Sequence, residues 1–281
     1  MQDYTITGEQ LQAFRQRLVW EEKSPATIEK YLRDAAAFTA WLDGRAASKA
    51  AAGAWKAALL EAKLAPATIN VKLAAVNRFL VFLGWPAFRV KPLRIQRRLF
   101  RDAGRELTKS DYQSLLDAAC RLGRERLGLL VETIGATGIR VSEVRYITVE
   151  AVRQGKAEVS LKGKIRVILL PGKLCRKLLK YAQKQKTASG AIFRTKSGKE
   201  LGRRQIWAEM KSLCKYAGVM PGKVFPHNLR HLFAMVFYRT SRDIVKLADL
   251  LGHSSIETTR IYLVTSGAEH QRTLDRLGLI S

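Results

Sequence analysis

The stretch FPHNLRHLFA, residues 225–234, places His227, Arg230 and His231 within five positions and then runs into an apolar segment. The chain holds four histidines, and three of them fall between positions 227 and 253. Imidazole moves protons near neutral pH, and a guanidinium fork grips phosphate or carboxylate through paired N–H donors. Side by side they suit a reaction at a phosphate. Three more segments carry comparable side chains. ATGIRVSEV (136–144) sets Arg140 behind a glycine and three residues ahead of Glu143. The LKGK turn (161–164) offers Lys162 and Lys164, and LGHSSIETTRIY (251–262) offers His253 and Tyr262.

Each segment has an ordinary explanation when taken alone. An Arg-x-x-Glu pair is commonly a surface ion pair of small worth. Turn lysines are commonly solvated, and a tyrosine in an apolar stretch is commonly core. His227 and His231, four apart, could ligate a metal, but the helical metalloprotease pattern needs Glu where Asn228 stands, and no third ligand is evident. Taken in order, the segments form a set: Arg, Lys, His-x-x-Arg, His, Tyr. On ATGIRVSE, PHNLRHLFA and LGHSSIETTRIY the chain resembles the tyrosine recombinase, or phage integrase, family. Its N-terminal helices also resemble that family's core-binding domain, so the likeness covers nearly the whole chain.

The resemblance implies a role for each residue. Arg140 and Arg230 clamp the scissile phosphate, and Tyr262 is the nucleophile that forms a 3′-phosphotyrosyl link. His227 serves as general base or proton shuttle, and His253 donates a hydrogen bond to the phosphate. Lys162, or alternatively Lys164, protonates the leaving 5′-oxygen. Glu143 orients Arg140 or His227, and His231 packs behind the site. No metal and no other cofactor is expected, because the bond energy stays in the phosphotyrosyl link. The implied partners are double-stranded DNA with inverted-repeat core sites, a homotetramer on two duplexes, and possible accessory DNA-bending proteins. Two departures from the family pattern stand out: the spacing from the lysine turn to Pro171, and Asn228 where an acidic residue is frequent. The chain opens almost directly on the core-binding helices, so a compact Xer-like or mobile-element enzyme without an arm-binding domain is expected. A relaxing type IB topoisomerase shares the chemistry, but His-x-x-Arg stands here where Lys-x-x-Arg is typical of that group. The intact set also argues against a DNA-binding protein that has lost catalysis.

Those residues must be positioned by surrounding elements. The fold class expected is mainly α with a small β-hairpin: an all-helical N-terminal core-binding domain and an α+β catalytic domain. Residues 1–90 read as four helices. Leu11, Phe14, Leu18 and Val19 share a face of the first. The second opens at Ser24 and Pro25, the third spans 49–64, and the fourth opens at Ala65 and Pro66, repeating the tetrapeptide PATI. Residues 91–106 read as a basic linker and 107–281 as the catalytic domain, with Ser110 as an N-cap and a hairpin at 157–170. Residues 265–281 form an exchange tail with Leu274, Leu277, Leu279 and Ile280 as an apolar stripe. DNA contacts are expected from Thr27, Lys30, Arg33, Thr68, Asn70, Lys72, Arg78, Arg203 and Arg204.

Composition agrees with a polyanionic partner. Fifty Lys and Arg against 24 Asp and Glu give a formal charge of +26. Anionic membrane is the competing partner, but no run approaches the ~18 apolar residues of a membrane span. No export signal is visible at the N-terminus, and the three cysteines read as buried, reduced thiols, which together suggest a cytoplasmic, nucleoid-associated protein of bacterial, phage or mobile-element origin. If phosphate contacts dominate, affinity for duplex DNA should fall by about 1,000-fold or more between about 50 and about 200 mM salt. A flat plot of log K against log salt would mean that the partner is not a polyanion.

Overall fold

The computed structural model describes residues 4–95, 103–161, 164–195, 197–253 and 255–263. Lys162 and the expected exchange tail lie outside these residues. The chain divides into two units, Met1–Arg97 and Arg98–Ser281.

The first unit is four helices: α1 Gly8–Trp20, α2 Pro25–Leu42, α3 Lys49–Glu61 and α4 Pro66–Phe82. The PATI echo places proline at the first position of both α2 and α4. Ser24 caps α2 by accepting from the Thr27 N–H, whereas Ala65 gives α4 no side-chain cap. Phe14, Phe38, Leu73, Phe79 and Leu80 are fully buried, and the Phe14 and Phe79 rings meet at 5.0 Å between centroids. Val19 does not join them. It is 58% exposed, because the helix turns by 100° per residue and Leu18 takes the inward position. The segment after α4 is tied down by two asparagines seven residues apart, hence on one helix face. Asn77 donates to the Val90 carbonyl at 2.8 Å and accepts from its N–H at 3.0 Å. Asn70 does the same with Leu93 at 2.9 and 2.7 Å. Val90 is thereby held in the core of this unit.

The second unit begins with α5 Lys109–Arg121 and α6 Glu125–Thr137. The cap of α5 is Thr108 rather than Ser110. Thr108 and Asp111 exchange side-chain and backbone hydrogen bonds in a capping box, so the helix has already begun at Lys109 and Ser110 lies within its first turn. Then come α7 Val149–Gln154, strands β1 Lys156–Leu161 and β2 Lys164–Leu169, α8 Gly172–Lys184, α9 Arg203–Lys211 and α10 Cys214–Ala217. The strands pair antiparallel, with Val159 opposite Arg166. The chain continues through α11 Pro226–Ser241, α12 Ile244–Leu251 and α13 Ile256–Arg260 into a 3₁₀ turn, Ile261–Leu263. The main core gathers residues from Leu107 to Leu232. A smaller cluster joins Ala234, Leu247, Leu251 and Tyr262. All three cysteines are free; Cys175 and Cys214 are buried, but Cys120, expected inside, is exposed near the end of α5. Among the described residues no helix is long and apolar enough to cross a membrane.

The Asn77 amide satisfies both backbone groups of a largely buried residue, and an alanine there leaves both without a partner. Asn77→Ala should therefore destabilise the first unit by about 1–3 kcal/mol, read as a lower urea midpoint at an unchanged m-value. An unchanged midpoint would show that solvent replaces the amide.

Candidate active site

Two helix ends and one helix start converge on the site. Helix α6 stops at Gly138, which takes the left-handed conformation at φ +63°. A Cβ there would lie 2.4 Å from Cδ1 of Phe233, so the backbone and the packing both require glycine. The chain leaves extended at Arg140 and enters a 3₁₀ turn, Val141–Tyr146. Glu143 in that turn reaches back. It accepts from the Arg140 backbone N–H at 2.8 Å and from Arg140 Nη1 at 2.9 Å. The carboxylate is 2% exposed while the Arg140 side chain is 42% exposed, so a buried anion aims a cation at solvent.

Helix α12 stops in the same manner, at Gly252 with φ +62°. Its terminal carbonyls face the site. Gly252 accepts from Arg140 Nη2 at 3.3 Å, and Leu251 accepts from Arg230 Nη2 at 2.7 Å. Arg230 also donates to the Gly138 carbonyl at the end of α6. Arg230 lies in the first turns of α11, which opens with Pro226 at its first position, and is only 2% exposed. Burial holds its guanidinium below the usual arginine range, opposed by a hydrogen bond to Tyr262.

His253 follows Gly252 directly. Its Nε2 lies 2.9 Å from Arg230 Nη2, and its Nδ1 lies 2.8 Å from the buried Thr259 hydroxyl. A guanidinium can only donate, so Nε2 accepts, and in the neutral ring the Nδ1–H donates to Thr259. Burial, reinforced by Arg230, Arg140, Arg166 and His227, lowers the His253 pKa to about 4.

Tyr262 closes the site. It is 5% exposed, and its ring lies almost parallel to that of His253, with centroids 5.6 Å apart and planes 7° from each other. His227 stands at 5.6 Å and His231 at 5.5 Å from the same ring. Of the residues singled out in the second half of the sequence, Arg140, Glu143, His227, Arg230, His231, His253 and Tyr262 thus meet around one tyrosine. Lys162 lies outside the described residues. Lys164, the alternative, opens β2 opposite Leu161. Among the described residues no group of three His, Cys, Asp or Glu side chains is placed to hold a metal. Two members of the site were not read from the sequence, Thr259 and Arg166. Strict alternation along β2 was the available signal for Arg166, since it sets an arginine on the same face as buried Ile168.

Residues 105–268 match the phage integrase family, and residues 11–86 match its N-terminal SAM-like domain. The chain is a tyrosine recombinase of the phage integrase family. The recombinase is 30% identical to tyrosine recombinase XerC of Roseiflexus castenholzii, over 91% of this chain and 88% of the relative. It is 32% identical to XerD of Xanthomonas campestris pv. campestris, over 94% and 90% of the two chains. Its fold matches a solved XerH site-specific recombinase, bound to a palindromic difH substrate in a post-cleavage complex, with a TM-score of 0.72. That match covers 97% of this chain and 84% of the other at 17% identity.

The expected DNA contacts of the recombinase are placed as follows. Arg33 on α2, Thr68 on α4, and Arg203 and Arg204 at the start of α9 are exposed, and Lys30 is half-buried. Thr27 shares a 2.8 Å hydroxyl hydrogen bond with Ser24. Lys72 pairs with buried Asp34 at 3.2 Å, and Arg78 pairs with Glu21. Both polar groups of Asn70 are engaged by Leu93.

A histidine whose folded pKa lies below its ordinary value contributes stability that is complete above about pH 6.5 and is lost as pH falls, because the unfolded chain binds the proton first. His253 should accordingly stay neutral in an NMR titration of the DNA-free recombinase until pH approaches about 4. Stability should decline from about pH 6.5 down to that point, and His253→Gln should flatten the decline. A His253 midpoint near the ordinary histidine value would contradict the burial and charge environment described.

Proposed function

We propose that the recombinase cuts and rejoins two DNA duplexes at specific sites through a 3′-phosphotyrosyl intermediate and a Holliday junction. The observation that carries this reading is a nearly buried tyrosine bordered by three imidazoles, one of which is hydrogen-bonded to a buried arginine, with a second arginine open to solvent nearby. In the reaction the Tyr262 oxygen attacks phosphorus and its proton passes to His227. The 5′-oxygen leaves with a proton from the hairpin lysine, Lys162 or Lys164. Arg140 and Arg230 stabilise charge that grows on the non-bridging oxygens, where donors fixed in advance are most effective. In the reverse step the 5′-hydroxyl of the other duplex attacks the phosphotyrosine and frees the tyrosine. One phosphodiester is exchanged for another, so no ATP or metal is consumed.

The DNA-free geometry adds a requirement. To donate to the phosphate, His253 must carry a proton on Nε2, the atom that now accepts from Arg230. An arriving phosphate that draws the Arg230 N–H to itself releases that nitrogen. The cationic clamp is thus coupled to the protonation of its neighbour. Four protomers on two inverted-repeat sites, joined through tail 265–281, fit this reading, with the first unit and its basic segment on DNA and accessory DNA-bending proteins where the sites require them. The protein would act in the cytoplasm, on the nucleoid. Integration, excision and dimer resolution share the chemistry and differ in how the sites are arranged.

Tyr262→Phe removes only the hydroxyl. It should bind site DNA as the unaltered protein does and form no denaturation-resistant adduct on nicked DNA. An adduct that persists in this variant would move the nucleophile elsewhere, with Tyr238 and Tyr216 as the tyrosines to examine.

A further inference from the structure

Arg166 projects from β2 on the side away from solvent. Its strand neighbours Ile165 and Val167 are 79% and 44% exposed, while Ile168 on its own face is buried. Its Nη1 donates to the Leu251 carbonyl at 2.6 Å and to Glu143 Oε1 at 3.3 Å. These are the acceptors that the two clamp arginines use: Glu143 Oε1 holds Arg140 Nη1, and the Leu251 carbonyl holds Arg230 Nη2. We propose that Arg166 is a positioning residue, a single cross-link that fixes Arg140 and Arg230 relative to each other and to the loop carrying His253. The proposal rests on the phosphoryl-transfer reading of the site.

The surroundings of the side chain are not those of a residue kept for stability, which argues for a geometric role. It is 10% exposed, and its Nε and Nη2 have no hydrogen-bond partner among the described residues. Burial lowers its pKa to about 10; Glu143 counters this, and the neighbouring Arg230 and Arg140 add to it. A buried, incompletely paired charge is commonly less stabilising than an apolar side chain of similar volume. Room has also been made for it. A Cβ on Gly252 would lie 2.4 Å from Arg166 Cδ, so the glycine that ends α12 also admits this arginine. The hairpin whose second strand opens at Lys164 is tethered to the clamp by the same bond, one that spans from β2 to the end of α12.

The test uses the full-length protein. Arg166→Lys keeps the charge, but one ammonium cannot reproduce the fork's geometry toward both acceptors. It should leave site-DNA affinity and melting temperature close to those of the unaltered protein, and slow single-turnover adduct formation on nicked DNA by on the order of 10- to 100-fold, the scale of small misplacements in an active site. Combining it with Arg140→Ala should add little to the effect of Arg140→Ala alone, because Arg166 acts through that residue. Gly252→Ala, which crowds Arg166 without changing any reacting side chain, should produce the same slow cleavage. Cleavage by Arg166→Lys within about threefold of the unaltered rate, or full additivity with Arg140→Ala, would overturn the proposal. Failure of the unaltered protein to form any adduct would sink the phosphoryl-transfer reading instead. The His253 titration then decides for Arg166: an upward shift in Arg166→Lys supports the cross-link, and an unmoved midpoint rejects it.

Discussion

The site depends on how a guanidinium can be kept inside a protein without a carboxylate of its own. Arg230 is 2% exposed, and its described acceptors include two backbone carbonyls, of Gly138 and Leu251. Both lie at the C-terminal ends of helices, where carbonyls lack intrahelical partners and the helix dipole is negative. Helices α6 and α12 therefore end where they do, each on a left-handed glycine, and direct their last carbonyls at one charge. The residues that follow those glycines, Arg140 two positions on and His253 immediately after, are placed by the same terminations. The placement of the two arginines is in this sense a product of two helix caps.

A second consequence is the scarcity of anions. Arg140, Arg166 and Arg230 gather around one buried carboxylate, Glu143, and the surplus charge helps to depress His253. A group of like charges is costly to bring together in a protein, and a phosphate dispersed over several donors offsets that cost at the moment of binding.

How much of this was legible in the sequence varies by kind of residue. Helix starts marked by Ser24 and by the proline of each PATI were readable, because proline at the first position acts locally. Val19 was added to a face that Leu18 already fills, and the N-cap was set at Ser110, two residues beyond Thr108. The residues that meet around Tyr262 could be singled out because the chemistry proposed for them is written in side-chain types and because the motifs resemble a family. Arg166 and Thr259 could not: strand alternation can turn Arg166 inward but does not name its partner 85 residues away, and the bond from Thr259 to His253, 6 residues back, depends on how the intervening chain folds. In the first unit, Asn70 was expected to contact DNA from its position near a helix start. Its engagement with Leu93 depends on where the chain returns 23 residues later.

The enclosure of Tyr262 bears on the fate of the DNA. Its ring is 5% exposed and is walled by His227, His231 and His253. In the proposed intermediate the same wall surrounds a strained economy of one broken strand per tyrosine, a lesion that any passing water could make permanent. A wall of rings leaves solvent little approach, while a strand end delivered by the duplex arrives already aligned. Fidelity of the genome would then be a matter of ventilation: the break stays mendable because the room in which it is made is closed.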